Sequence, residues 1–407
     1  MHRVVVTGMG GVSALGTEWS VIRARLAGPG NAVRYMPEWE RYSDLNARLA
    51  APVTDFEMPV HWTRRHTRSM GRVSQFAVFA AERALQDAGL AGDPLLQGGS
   101  VGVAFGSAVG STPDTRNYAM MLETGRAAGL SANSYVRMMP HTAAANIGIF
   151  FGLSGRMIPT CSACTSGSQA IGYAYESIRA GLQVAMLAGG GEELCPSQAM
   201  SFDLLYAASR CNGEPGLTPR PYDSARDGLV IGEGGAVLVL EQLEHARARG
   251  ARIHAEVVGF GTNCDGVHVT RPEQRTMQQV LELALRDAGL SPAAVGYVNG
   301  HGTATEHGDI AESRATAAAL GPVPVSSQKS FLGHTLGACG ALEAWFSIGM
   351  MNEAWFAPTL NLTAVDPRCG ELDYITGAGR RLDVEHVMSN NFAFGGVNTS
   401  LIFRRWQ

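Results

Sequence analysis

Charged residues are scarce in this 407-residue chain, at 17%, and they nearly cancel to a formal net charge of −4. That balance excludes a global electrostatic pull toward nucleic acid or an anionic membrane, and leaves only local patches to attract an acidic partner. Long apolar runs are also missing: even Ala236 to Leu240 is cut by glycines or charges within a few positions, far short of the ~18 residues of a membrane span. The opening Met1 to Gly8 moves directly into a strand-like run without the features of a signal peptide, so export is not expected. Seven cysteines, an odd number with no regular framework, argue for reduced thiols and a cytoplasmic location. No Pro/Ser linker and no low-complexity tract interrupts the chain, and Thr7 to Ser13 lacks the third glycine of a dinucleotide-binding fingerprint.

What the chain does have is apolar material, 45% of residues, and 50 glycines, which suit a large core with tight turns and close backbone approaches. Its length points to two domains or two packed halves. An internal repeat agrees: Ala81-Glu-Arg-Ala-Leu-Gln-Asp-Ala-Gly-Leu90 returns as Leu281-Glu-Leu-Ala-Leu-Arg-Asp-Ala-Gly-Leu290, with seven of ten positions identical. Each copy ends an amphipathic helical pattern at a glycine suited to a C-cap and leads into a strand-like run. We expect α/β halves spanning residues 1–250 and 251–407 that share a core, with the break near Glu244 to Arg252. Ser107 to Ser134 reads as a long functional or interface loop.

Three segments can carry chemistry. In Thr160-Cys-Ser-Ala-Cys-Thr-Ser-Gly167, small residues crowd a turn into a helical pattern, which places Cys164 at a helix N-terminus where backbone N–H groups favour a thiolate. Such a turn resembles a nucleophile elbow. Cys161 and Cys164 also spell C-x-x-C, but without a second pair or a thioredoxin-sized unit the redox reading is weak. His301 in Asn299-Gly-His-Gly-Thr303 and His334 in Lys329-Ser-Phe-Leu-Gly-His334 each stand in a glycine-flanked turn between a strand-like and a helical run. Open α/β sheets place their sites in such turns. Cys/His/His could in principle ligate zinc, but no helical His pair accompanies it, and we assign no metal. Finally, Asn391-Phe-Ala-Phe-Gly-Gly396 sets two phenylalanines beside a flexible Gly-Gly step, a pattern suited to gating an apolar tunnel.

Taken in order, these motifs, with Val4 to Gly8, Tyr222-Asp223, Gly232-Glu-Gly234 and the closing Asn398 to Phe403, resemble the elongating β-ketoacyl-acyl carrier protein synthases of the thiolase superfamily. The resemblance runs end to end. It implies a thiolase fold, with duplicated βαβαβαββ halves in a five-layered α/β/α/β/α core, and decarboxylative Claisen condensation of an enzyme-bound acyl group with malonyl-acyl carrier protein. Cys164 is implied as the acylated nucleophile, His301 and His334 as the pair holding the malonyl thioester, and Lys329 as the organising lysine. The backbone N–H groups of Cys164 and Phe394 are implied as the oxyanion hole, with Gly395 and Gly396 completing the gate. Thr303, Thr305, Phe392 and Val109 are implied in substrate binding, and Asp309, Glu312 and Glu343 as supports of the lysine.

No intrinsic cofactor is implied, because substrates arrive on the phosphopantetheine of acyl carrier protein. Some relatives carry a structural monovalent cation near Asn299, Glu343, Ser389 and Asn390. The implied partners are acyl carrier protein and a second ketosynthase-like subunit, identical or related. Arg64, Arg65, Arg68 and Arg72 are spaced to form a basic stripe on one helix face, where an acidic carrier would dock. Cys161, Glu306-His307 and Ala393 depart from the usual pattern, and the gate motif resembles specialised ketosynthases such as those of aryl-polyene assembly. Two alternatives remain open: a coenzyme A thiolase, which would need Cys339 as a second catalytic cysteine, and a non-catalytic chain-length-factor-like subunit.

Overall fold

The computed structural model describes residues 1–407. Its main sheet contains β1 (Val4–Ser13), β2 (Val101–Gly106), β3 (Met157–Pro159), β4 (Ala185–Glu192), β5 (Gly234–Gln242), β6 (Ala255–Cys264), β7 (Val295–Asn299), β8 (Pro324–Ser326), β9 (Asp373–Tyr374), β10 (His386–Phe392) and β11 (Val397–Arg405). The order is β9-β8-β7-β10-β11-β6-β1-β5-β4-β2-β3. Six principal helices accompany it: α1 (Arg72–Asp87), α2 (Thr142–Phe151), α3 (Ser166–Arg179), α4 (Gln274–Ala288), α5 (Glu306–Leu320) and α6 (Cys339–Asn352). The first half runs β1α1β2α2β3α3β4β5 and the second β6α4β7α5β8α6β10β11, with β9 added at the outer edge. Both halves order their strands third-second-fourth-fifth-first. They meet where Val4, Val5 and Val6 pair with Val257, Glu256 and Ala255.

Three cores stack through the molecule. One lies between α1, α2 and the outer face of the first half, around Phe105, Leu85 and Val237. Another joins α4 and α5 to the second half, around Leu281, Val298 and Ile402. Between them, α3 and α6 pack against strands of both halves and form the middle layer. The sequence of α6 explains its place: Cys339 to Met351 is buried at every position, so the helix has no polar face to offer water.

The repeated Asp-Ala-Gly-Leu has a structural cause. Asp87 accepts the N–H of Met9 at 2.9 Å and Asp287 accepts that of Phe260 at 3.1 Å, each beside a register shift in the strand. A bulge frees a strand donor, and the aspartate at the helix end satisfies it. The helices also approach closely in the same way, since a Cβ at Gly8 would lie 2.2 Å from the Ala84 carbonyl and one at Gly259 would lie 2.5 Å from that of Ala284.

Two expectations need correction. Ser107 to Ser134 is not one long loop: Thr112–Thr124 and the start of Ala132–Met138 are helical. Pro113 near the helix start and Gly125 in the left-handed region at its end delimit the first of these, and its mostly exposed surface left little apolar periodicity to read. The four arginines do not share a helix either. Arg64–Thr67 forms a single turn, the chain breaks through Gly71, and Arg72 opens α1 with its guanidinium bound to Glu233 and the Val53 carbonyl. Only Arg64, Arg65 and Arg68 remain exposed there.

The middle layer depends on a glycine contact. A Cβ at Gly340, near the start of α6, would lie 2.6 Å from the Ser168 backbone nitrogen at the start of α3. Gly340→Val should therefore force the two helix starts apart, destabilise the protein by about 1–3 kcal/mol and lower its Tm. Thermal unfolding followed by circular dichroism checks this, and an unchanged Tm would mean that the contact does not constrain the fold.

Candidate active site

Strand ends in both halves deliver the site. Cys164 lies in the turn between β3 and α3, His301 follows β7, the short helix Lys329–Leu332 and His334 follow β8, and Phe392 ends β10. Ala163 holds φ at +49°, a strained left-handed conformation that turns the chain sharply before Cys164. Cys164, His301, His334, Thr303, Thr305, Glu312, Phe392, Phe394 and Gly396 all line one cavity of about 700 Å³. The mouth also carries Glu306 and His307, and one wall is apolar through Phe202, Leu205 and Leu229. Phe394 packs on Phe202 with ring centroids 5.3 Å apart.

The hydrogen bonds fix both imidazoles in one tautomer. His334 Nδ1 accepts the Leu336 N–H at 3.3 Å, so its Nε2 carries the proton and faces Cys164 Sγ at 3.0 Å. His301 Nδ1 accepts from Lys329 Nζ at 3.1 Å and from Asn391 Nδ2 at 3.4 Å, which likewise leaves the proton on Nε2. The two rings stand edge to face with centroids 5.1 Å apart. Burial, reinforced by the nearby Lys329 ammonium, holds both well below the usual histidine range, and they are neutral donors. Burial works against the Lys329 charge too, but the contacting Glu343 carboxylate outweighs it and keeps the ammonium protonated.

Cys164, His301 and His334 have ligand atoms close enough to hold a metal ion. The tautomers do not fit that use, because a protonated Nε2 offers a donor where a metal needs a lone pair. The thiol also differs from the thiolate expected of a helix N-terminus. Burial pushes Cys164 up to about 12, against the opposing pull of Lys329 and of the nearby backbone N–H groups of Phe394 and Cys164. Cys164 is only 6% exposed, and desolvation of the anion outweighs those dipoles.

Asp309 and Glu312 brace the histidine turn rather than the lysine. Glu312 accepts the N–H groups of His301 and Gly302, and Asp309 accepts those of Thr303, Ala304 and Tyr222. Glu343 alone of the three contacts Lys329. Burial pushes Glu312 up to about 8 and Asp309 to about 6, each opposed by those N–H donors. Thr303 and Thr305 bond each other through their hydroxyls at 2.9 Å on the cavity wall. Val109 lies outside the cavity lining and is 37% exposed, because the chain after β2 turns outward. Gly395 is exposed beside the gate rather than in the lining. Cys339 is also outside it, its thiol donating to the Cys164 carbonyl at 3.2 Å, where it cannot act as a second catalytic cysteine. Cys161 is exposed while Cys164 is buried. Phe202 and Asn391's bond to His301 had no local sequence signal, because both depend on distant segments meeting.

Comparison with known proteins agrees with this architecture. Residues 1–246 match the beta-ketoacyl synthase N-terminal domain and residues 254–363 the C-terminal domain. The 3-oxoacyl-[acyl-carrier-protein] synthase 2 of Vibrio harveyi is 38% identical over 99% of both chains. A crystal structure of a beta-ketoacyl synthase from Burkholderia phymatum STM815 superposes with a TM-score of 0.99 at 59% identity, covering all of both chains. The ishigamide ketosynthase/chain length factor superposes at 0.90 with 32% identity and the same coverage. The duplicated topology is thus the thiolase fold of ketosynthases, and the chain belongs to the beta-ketoacyl synthase family.

Proposed function

We propose that this chain joins an acyl group held on Cys164 to malonyl-acyl carrier protein by decarboxylative condensation, with His301 and His334 as the two donors that make decarboxylation accessible. The observation that carries this reading is the pair of neutral Nε2–H imidazoles converging beside a single buried thiol. Cys164 attacks the acyl thioester, its proton passes to the departing carrier thiolate, and the acyl group remains on sulfur. The malonyl thioester oxygen then lies between the imidazoles. Loss of CO₂ leaves an enolate whose negative oxygen the two donors stabilise. Its carbon attacks the Cys164 thioester, the new oxyanion meets the N–H groups of Phe394 and Cys164, and collapse expels Cys164 as the β-ketoacyl carrier forms. Lys329 acts through His301, whose Nδ1 it occupies.

Thr303 and Thr305 are suited to hold the pantetheine arm, and Phe392 and Phe394 to close over the acyl chain. Asn299 Nδ2 donates to Glu343 and Ser389 while its Oδ1 is buried without a partner, an orphaned carbonyl oxygen beside a carboxylate that suits a structural monovalent cation. Exposed Met120, Leu122, Tyr135 and Val136 support a face covered by a second ketosynthase-like subunit. All seven cysteines are free, which supports a reducing, cytoplasmic setting, and no helix is long and apolar enough to cross a membrane.

Replacing Cys164 by Ala should abolish the mass gain that follows exposure to acyl carrier, and acylation persisting or moving to Cys161 would contradict its role. His301→Ala and His334→Ala should each lower condensation about 10²–10³-fold while acyl transfer to Cys164 suffers less. Stopped assays of CO₂ release and of acyl-enzyme mass separate the two half-reactions.

The pH dependence follows from the histidines. Their depressed pKa values keep the neutral donors populated below pH 6.5, so the acid limb of malonyl decarboxylation should fall below that value. Lys329→Met removes one cause of the depression and should move the limb upward along with lowering the rate. A limb at or above pH 6.5 in the unmodified enzyme would count against neutral imidazoles.

Carrier docking is assigned to Arg64, Arg65 and Arg68, without Arg72. Charge reversal at Arg65 and Arg68 should raise the KM for carrier-bound substrate and flatten its salt dependence, with little change for a short pantetheine thioester. Equal loss with both substrates would place these arginines in the fold instead.

A further inference from the structure

Glu192, at the end of β4, is fully buried and takes no part in the chemistry above. Its Oε2 accepts the N–H of Ala108 at 2.7 Å and that of Gly337 at 3.2 Å, and its Oε1 accepts the Ser107 hydroxyl at 2.9 Å. No cation pairs with it. A buried carboxylate without a countercharge is costly, and three converging donors offset only part of that cost.

The donors identify what it joins. Gly337 belongs to the turn that carries His334, one residue beyond Leu336, whose N–H sets the His334 tautomer. Leu336 holds φ at +49°, matching Ala163 before Cys164, so this turn is a second, strained elbow built by the duplicated half. Such a conformation persists only where its surroundings over-determine it. The packing around Gly337 is tight: a Cβ there would lie 2.8 Å from both Glu192 Oε2 and the Ala108 nitrogen. On its other side Glu192 ties down Ser107, whose hydroxyl also accepts the Gly110 N–H at 3.1 Å, and so fixes the loop leading to exposed Val109.

We propose that Glu192 is a positioning residue for the condensation, a clasp that holds the second elbow so that His334 keeps its Nε2–H aimed at Cys164 and at the malonyl thioester. It rests on the assignment of His334 as an enolate-stabilising donor, and the chain of contacts is continuous: Glu192 to Gly337, Leu336 to His334 Nδ1, His334 Nε2 to Cys164 Sγ. Burial pushes Glu192 up to about 7 against its three donors, with the Glu193 charge adding to the rise, and its own charge works against ionisation of Cys164 and Cys161.

Two substitutions separate charge from geometry. In Glu192→Gln the amide oxygen can accept both N–H groups while its NH₂ donates to the Ser107 hydroxyl, so condensation should stay within about threefold of the parent. Glu192→Met fills the space but orphans two buried N–H groups, and should lower kcat for malonyl decarboxylation roughly tenfold or more with KM little changed. The decisive readout is a double-mutant cycle with His334→Ala. If Glu192 acts through His334, adding Glu192→Met to His334→Ala should cost little further decarboxylation, and Cys164 alkylation should be slowed far less than decarboxylation. Losses that multiply in the double variant, or a Gln variant as impaired as the Met variant, would overturn the proposal. Should Glu192→Met fail to fold, Ser107→Ala in the same cycle supplies the test, with a smaller loss of the same non-additive form expected and full additivity again overturning it. If His334→Ala itself leaves decarboxylation unchanged, the underlying assignment of His334 fails independently of the clasp.

Discussion

A single buried ammonium sets the state of the two buried imidazoles beside Cys164. Lys329 is 1% exposed and lies between the Glu343 carboxylate and Nδ1 of His301. Removing a charge from water is expensive, and Glu343 makes the arrangement tolerable by keeping the lysine ionised and paired. The consequence reaches the chemistry by two routes. Occupying Nδ1 forces the His301 proton onto Nε2, and the positive charge disfavours protonation of either imidazole. The site therefore presents hydrogen-bond donors without presenting cations. A developing enolate gains from such donors, while the neutral starting thioester does not need them.

Duplication supplies the framework that makes this geometry affordable to build. Each half contributes a strained turn feeding a middle-layer helix, at Ala163 before α3 and at Leu336 before α6. The two helix starts touch through Gly167 and Gly340, which brings Cys164 and the His334 turn together. The halves have diverged in what those turns carry. The first bears Cys164, the proposed nucleophile, whereas the second has Gly337 at the matching place, its N–H given to Glu192. Asp87 and Asp287 preserve the common ancestry of the outer layers by satisfying equivalent bulged strands.

Much of this was legible because the informative residues are local in sequence. Cys164 sits in a small-residue turn and His301 and His334 in glycine-flanked ones, each with its own signature, and the Asp-Ala-Gly-Leu repeat exposed the duplication directly. Features created by long-range packing were not legible. The Cys164 thiol is raised, not lowered, because the halves bury it more deeply than its helix start can compensate. Arg72 left the basic stripe because Glu233, far along the chain, captures it. The helix Thr112–Thr124 read as loop because little of it is buried. Asp309 and Glu312 carry charges of the expected kind, yet they hold backbone donors of the His301 turn, a role no spacing reveals.

The proposed condensation depends on His301 and His334 both being neutral with the proton on Nε2. Nitrogen-15 NMR of histidine-labelled enzyme, assigned through single His→Gln variants and followed across pH 6.5, tests it most directly. Both imidazoles should stay neutral below that pH, each with a protonated Nε2 and an unprotonated Nδ1. An imidazolium signal for either ring at pH 6.5, or a proton resting on Nδ1, would contradict it.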